Sequence, residues 1–299
     1  MSLLSPGILS ALQRLDIQVL AASDPFAIGR PDRACLALET IAGSIVIKFF
    51  QPNGKPEAFE NMVCLWRSSF GERRIPPGLP RPLAWLEEHS ALIMERIDGY
   101  PMLESMASGV ERLEEIARTL VDLHTSDAHP SQRRDARRVV RSIQRKVADL
   151  AGSGIEHHLA QVADRLAERL PDVTHSDDHP VELAPGHGDF SPRNVILSSG
   201  SIRFIDWDRF RLADPARDLA YFGAWTWMAD LSAGRKPDWT LGDSLIDLYQ
   251  AYHPISNLLE RVRFYRAAGL ARIAHSQVRL WKSAELVAPL SAEALRWLA

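Results

Sequence analysis

Three apolar or β-branched runs occupy residues 17–22, 34–42 and 44–50, each set off from its neighbours by turn-forming residues. Runs of that length and composition predict strands. Ala42-Gly43-Ser44 predicts a tight hairpin between the last two. The period then changes: over residues 57–70, Phe59, Met62, Val63 and Trp66 recur at helical spacing, so one helix is expected to follow the hairpin. Pro76, Pro77, Pro80 and Pro82 end it, and residues 91–94 predict a further strand that Asp98-Gly99 breaks.

Beyond about residue 100 the pattern is helical. Leu113, Ile116, Ala117, Leu120 and Leu123 share one face of a segment over 110–124, with charged residues opposite. Two more helices are expected over about 135–150 and 156–170, then a polar loop over 172–180, and from Asp214 onward the chain is again mainly helical. The picture is an α+β chain in two parts: a β-rich unit with one helix over residues 1–95, and a mainly helical unit over 96–299.

With 299 residues, 46% of them hydrophobic and 24% charged, the chain can build an ordinary globular core. A formal net charge of −3 argues against a protein whose main task is to hold nucleic acid. Cys35 and Cys64 lie in apolar stretches and match neither a disulfide framework nor a metal-ligand spacing, so both are expected to be buried thiols in a reducing compartment. No basic residue precedes the first apolar positions, which Pro6 and Gly7 interrupt, and no apolar run is long enough for a bilayer. The expected location is the cytoplasm, with no membrane partner, and the oligomeric state is left open.

The chemistry concentrates in His187-Gly188-Asp189-Phe190-Ser191-Pro192-Arg193-Asn194 and, after a serine-glycine turn, Ile205-Asp206-Trp207-Asp208. The apolar runs between them predict a hairpin that brings Asn194 and Asp206 to one open end. Asp189 precedes it in a loop that Pro192 keeps from becoming helix. Hard oxygen donors converging there suit Mg²⁺. Phosphoryl transfer needs a carboxylate to orient and deprotonate the attacking hydroxyl, a role for Asp189, and a metal on the β- and γ-phosphates, a role for Asn194 and Asp206.

These segments resemble the aminoglycoside phosphotransferase and choline-kinase-like families, which have a protein-kinase-like fold. The first is similar to their catalytic loop and the second to their I-D-[WF]-[DE] segment. Asp214-Pro215-Ala216-Arg217-Asp218-Leu219-Ala220 is similar to their G-D-P-x-x-D-L-A stretch, and residues 120–124 to their L-x-x-L-H helix. The resemblance implies a two-lobed kinase-like fold and transfer of the γ-phosphate of ATP or GTP to a hydroxyl of a small molecule: an antibiotic, a sugar or an amino alcohol. It further implies that Lys48 pairs with the α- and β-phosphates, with Glu60 as its helix partner or Glu57 as the alternative. By the same likeness Met94 packs behind the nucleobase, and backbone groups of Glu95 and Ile97 hydrogen-bond it. His187 and Asp218 are expected to hold the catalytic loop rather than act as bases.

Residues 23–31 lack a glycine-rich phosphate loop, and Gly188 stands where protein kinases carry arginine, which favours a small-molecule substrate. A nucleotide-binding pseudoenzyme with a regulatory or scaffolding role is the alternative, against which Lys48, Asp189, Asn194 and Asp206 are all present. His124 reads as a cap or core histidine, the His175 to His179 cluster as a solvated loop, and Trp225, Trp227 and Trp239 as core. Over residues 260–282 six cations face a single acid. If that surface meets the cleft, a neutral or anionic acceptor is favoured over a polycation.

Overall fold

The computed structural model describes residues 4–23, 26–27, 34–51, 54, 56–72, 78–174 and 181–299, with backbone only at Phe26 and Ala27. Pro76, Pro77, the histidine cluster at 175–179 and most of the segment at 23–31 therefore lie outside the described residues.

The first part is a sheet with a helix on each face. Helix α1 (Pro6–Arg14), which the strand-rich pattern does not announce, starts at a Ser5 cap with Pro6 in its first turn. Strands β1 (Val19–Ala22), β2 (Phe26–Ala27), β3 (Ala34–Thr40), β4 (Gly43–Phe49), β5 (Pro82–Leu86) and β6 (Ala91–Glu95) form an antiparallel sheet in the order β1-β3-β4-β6-β5, with β2 also on β3. Alternation along the strands decides which side chain goes where. Leu36, Leu38, Ile45, Ile47 and Ile93 pack on Ile8 and Leu12 of α1, while Cys35, Ala37, Val46, Leu92 and Met94 take the opposite face. Lys48 pairs with Cys35 on one side and Leu92 on the other. It is therefore delivered to that second face. Helix α2 (Glu57–Trp66) is followed by the separate short helix α3 (Ser69–Glu72). The single helix expected to residue 70 is interrupted at Arg67 and Ser68, where the Ser68 hydroxyl donates to the Leu65 carbonyl at 2.8 Å.

The second part follows β7 (Tyr100–Pro101) and comprises α4 (Met106–Glu111), α5 (Leu113–His124), β8 (Arg133–Arg134), α6 (Ala136–Asp149), α7 (Glu156–Glu168), α8 (Leu170–Thr174), β9 (Ala184–Gly186), β10 (Val195–Ser198), β11 (Ser201–Phe204), β12 (Arg211–Ala213), α9 (Ala216–Ser232), α10 (Thr240–Tyr252), α11 (Leu258–Trp281) and α12 (Val287–Trp297). Helix α9 is the core: from Asp218 to Met228 every side chain is buried, and α11 packs along it. The predicted hairpin is β10 and β11, with Val195 opposite Phe204, and β7 pairs with its outer edge. Strand β12 lies between β8 and β9, so the chain entering the catalytic loop is tied to the chain leaving the hairpin. Cys35 is buried, Cys64 only half-buried against the expectation, and neither is in a disulfide. Among the described residues no helix is long and apolar enough to cross a membrane.

Candidate active site

The loop from His187 to Asn194 is fixed before any ligand is considered. Gly188 has φ +77°, and a Cβ on it would meet the Arg209 carbonyl at 2.2 Å. That is a physical reason for glycine at this position. Asp218, in the first turn of α9, accepts hydrogen bonds from the backbone N–H of His187 (2.6 Å) and of Gly188 (2.9 Å). Its own place is set by His124, whose Nε2 lies 3.3 Å from it and whose Nδ1 lies 2.9 Å from the Tyr249 hydroxyl. His187 Nε2 lies 2.9 Å from the Ile205 carbonyl, so that nitrogen carries the proton, and Nδ1 accepts from the Asp189 N–H at 3.3 Å. Complete burial pushes the His187 imidazole pKa down. A neutral ring spent on two backbone bonds is a brace for the loop.

The hairpin end assembles the second group. Asn194 donates its amide N–H to the Asp189 carbonyl at 2.9 Å, which leaves its side-chain oxygen for another partner. Asp206 sits in the left-handed region at φ +67°, a conformation that costs energy and recurs at functional sites. The Lys48 ammonium bridges two carboxylates, 2.6 Å from Asp206 and 2.9 Å from Asp208. Lys48, Asn194 and Asp206 border a cavity of about 740 Å³ whose other walls include Met94, Glu95 and Ile97. Glu95 gives its N–H to the Arg81 carbonyl (2.9 Å) and its carboxylate to Arg203 (2.7 Å). What it can offer a ligand is its carbonyl.

The pairing expected between Lys48 and Glu60 is not made. Glu60 is exposed on α2, and Lys48 already has two counter-ions in Asp206 and Asp208. Glu57 accepts instead from Gln132 at 3.3 Å. Helix α2 reaches the site through Asn61, which donates to the Trp207 carbonyl at 3.1 Å. Asp208 was legible in the I-D-W-D segment, but its role needed the geometry.

Among the described residues no cluster of three or more His, Cys, Asp or Glu is arranged for a metal. Two carboxylates, an amide oxygen and a cation already bridging the carboxylates nevertheless fit Mg²⁺, which takes one or two protein carboxylates and completes its shell with water and phosphate.

Asp189 has a different neighbourhood. Its Oδ1 lies 2.6 Å from Arg272 Nη2 and its Oδ2 3.9 Å from Arg209 Nε. Burial alone would raise its pKa; Arg272 first, then Arg209 and Arg193, outweigh burial and hold the carboxyl well below the usual carboxylate range. Arg272 also donates to the Gly188 carbonyl (2.9 Å) and stacks 4.2 Å over the Tyr221 ring. Arg193 lies 3.7 Å over Trp225. Sequence reasoning missed Arg272. The only signal was its place in the arginine-rich segment, most of which turns elsewhere: Arg261 pairs with Asp214, Arg266 with Asp243 between Trp239 and Trp297, and Arg279 with Asp149. Trp227 and Trp239 stack in the core as expected, with ring centroids 6.3 Å apart, whereas Trp225 borders the pocket beside Asp189.

A family model described as phosphotransferase enzyme family matches residues 25–283. A LicA homolog from Mycoplasma capricolum is 27% identical over 112 residues, 38% of this chain and 43% of that protein, so the match spans less than half of the relative. Among solved structures, choline kinase LicA from Streptococcus pneumoniae has a TM-score of 0.69 at 16% identity, covering 98% of this chain and 99% of that one. A thermostable mutant of aminoglycoside phosphotransferase APH(4)-Ia, in a ternary complex with ADP and hygromycin B, has a TM-score of 0.68 at 16% identity, covering 97% of each chain. At such identities the likeness establishes the kinase-like α+β fold.

Proposed function

We propose that this chain, which belongs to the phosphotransferase enzyme family, transfers the γ-phosphate of ATP to a hydroxyl of a small molecule. The observation that carries the reading is that Lys48, Asn194 and Asp206, with Asp208 paired to the same lysine, border a cavity also lined by Met94 and Glu95 at the end of β6 and by Ile97 just beyond it. A nucleotide laid along it has its base against the Glu95 to Ile97 backbone and its phosphates at Lys48. To reach them, the ammonium leaves at least one of its two carboxylates.

In the reaction the acceptor oxygen forms a bond to the γ-phosphorus as the bridging bond to the β-phosphate breaks. ADP leaves with that electron pair, and the hydroxyl proton passes to Asp189. Asn194, Asp206 and Asp208 would hold Mg²⁺, which when bound neutralises charge on the phosphates. Asp218 keeps the loop in register through the His187 and Gly188 N–H groups. The ADP in the APH(4)-Ia complex supports ATP as donor, and the choline and hygromycin named for relatives support a small hydroxylated acceptor.

The test is calorimetric titration of ATP and GTP with and without Mg²⁺, on the wild type and on Asp206→Asn. Mg²⁺-dependent ATP binding that loses its Mg²⁺ dependence in the variant is expected. ATP binding indifferent to Mg²⁺ and to the variant would defeat the assignment of the hairpin end.

A further inference from the structure

The pocket on the Asp189 side has no acid left over. Its lining contains Asp189, Asp206 and Asp208, and each is already engaged: Asp189 by Arg272, the other two by Lys48. Counting Arg272, four cations line the pocket against three carboxylates. Lys146, Arg193 and Arg209 share that lining, and Lys146, on α6, has no acidic partner within salt-bridge distance among the described residues. Burial, then the charges of Arg272, Arg209 and Arg134, push the Lys146 pKa down to about 8.

The excess deepens behind the loop. Lys146, Arg134, Arg217 and Arg272 surround a small void beside Gly188 that no carboxylate borders. Two of these guanidinium groups keep a buried nitrogen without a partner, Arg134 at Nε and Arg217 at Nη1. Arg134 is held down to about 10 by burial and by its cationic neighbours. Of these four half-buried cations only Arg272 has a carboxylate within salt-bridge distance among the described residues; like charges crowded in this way repel one another, and a bound anion relieves the repulsion. A cationic acceptor would enter this field against repulsion, with every nearby carboxylate occupied.

Resting on the phosphotransferase reading, we propose that the acceptor is an anion: a hydroxylated small molecule whose carboxylate or phosphate sits on Lys146 and Arg272 while its hydroxyl lies at Asp189. The pocket now measures only about 60 Å³, with Arg272 lying across the Asp189 carboxylate. An acceptor anion gives Arg272 an alternative partner, so the group that recognises the substrate also uncovers the base. Trp281 stands half-exposed at the mouth, where it can cover the apolar body of the acceptor.

The experiment uses one carbon skeleton at several charges. Glucosamine, glucose, glucuronate and glucose 6-phosphate are titrated into the full-length protein saturated with ADP and Mg²⁺, after ADP binding has been measured separately. One of the two anions is expected to bind at least about tenfold more tightly than glucose, and glucosamine least tightly; a charge-assisted hydrogen bond supports a preference of that size. Which anion leads separates a carboxylate from a phosphate acceptor. Lys146→Met is expected to erase the anion preference. Arg272→Met is the second probe and is scored only if its melting curve stays cooperative. Tighter binding of glucosamine than of both anions would overturn the proposal, as would an anion preference unchanged in both variants. Phosphorylation of a cationic acceptor in preference to anionic ones, abolished in Asp189→Asn, would overturn it and leave the phosphotransferase standing. Failure of ADP to bind would overturn both.

Discussion

The two halves of the site are built on opposite plans. The half proposed for the nucleotide is an open cavity of about 740 Å³, walled in part by alternate residues of neighbouring strands, where one lysine is balanced by two carboxylates. The half proposed for the acceptor is a slot of about 60 Å³, bounded in part by side chains from α6, α9 and α11, where four cations meet three carboxylates that are already paired. One half can receive a polyanion carrying its own metal. The other holds Asp189, the proposed base, against Arg272. On this reading donor binding depends on strand geometry, and acceptor choice on long side chains projected from helices.

The largest expected effect separates the halves outright. Asp189→Asn should lower kcat by roughly 10³-fold, within the range for losing a general base, while the Kd for ADP stays within about twofold. Joint kinetics and calorimetry check this, and loss of nucleotide affinity in step with rate would mean that the halves are not separable. Next comes the joint between them: Gly188→Ala sets a Cβ against the Arg209 carbonyl at a positive φ and should cost on the order of 3 kcal/mol. Its thermal midpoint should fall by several degrees, and an unchanged midpoint would remove the steric reason for glycine.

Lys48→Met tests the nucleotide half. It should weaken ATP binding by roughly 10- to 100-fold, the worth of a charge-assisted contact, and leave the charge preference among acceptors untouched. The smallest effect is a pH dependence. His187 has a folded pKa below its unfolded value, so the unfolded chain takes up the proton first as pH falls. Stability should therefore be full above about pH 6.5 and decline below it, which urea titrations from pH 8 to pH 5 would register. Stability that rose on acidification through that window would contradict a neutral, buried His187.

The same contrast explains what could be read from the chain. Lys48 and Met94 were legible only through the family resemblance; the structure adds that the two-residue period of β4 and β6 puts them on one face with Val46. The hairpin putting Asn194 and Asp206 at one end followed from two short apolar runs and a serine-glycine turn. Glu60 did not follow: two residues on the same helix turn were candidates, and the lysine chose carboxylates about 158 and 160 residues away. Arg272 did not follow either. It lies on a 24-residue helix with arginines on several sides, and only packing against α9 decides which one meets the catalytic loop. Helix α1 was hidden because its apolar positions are few and their partner is the far face of a sheet.

Phosphoryl transfer through Asp189 is tested most directly by acceptor-stimulated ADP formation by the wild type and by Asp189→Asn. A panel of carboxylated and phosphorylated sugars, neutral sugars, choline and aminoglycosides would be run with ATP and Mg²⁺, and the phosphorylated product identified by mass. A phosphate monoester of at least one acceptor is expected from the wild type, with its rate of formation reduced by about three orders of magnitude in the variant. Equal turnover by a well-folded Asp189→Asn, or no acceptor-dependent ADP formation across the panel by protein that binds no ATP, would contradict it.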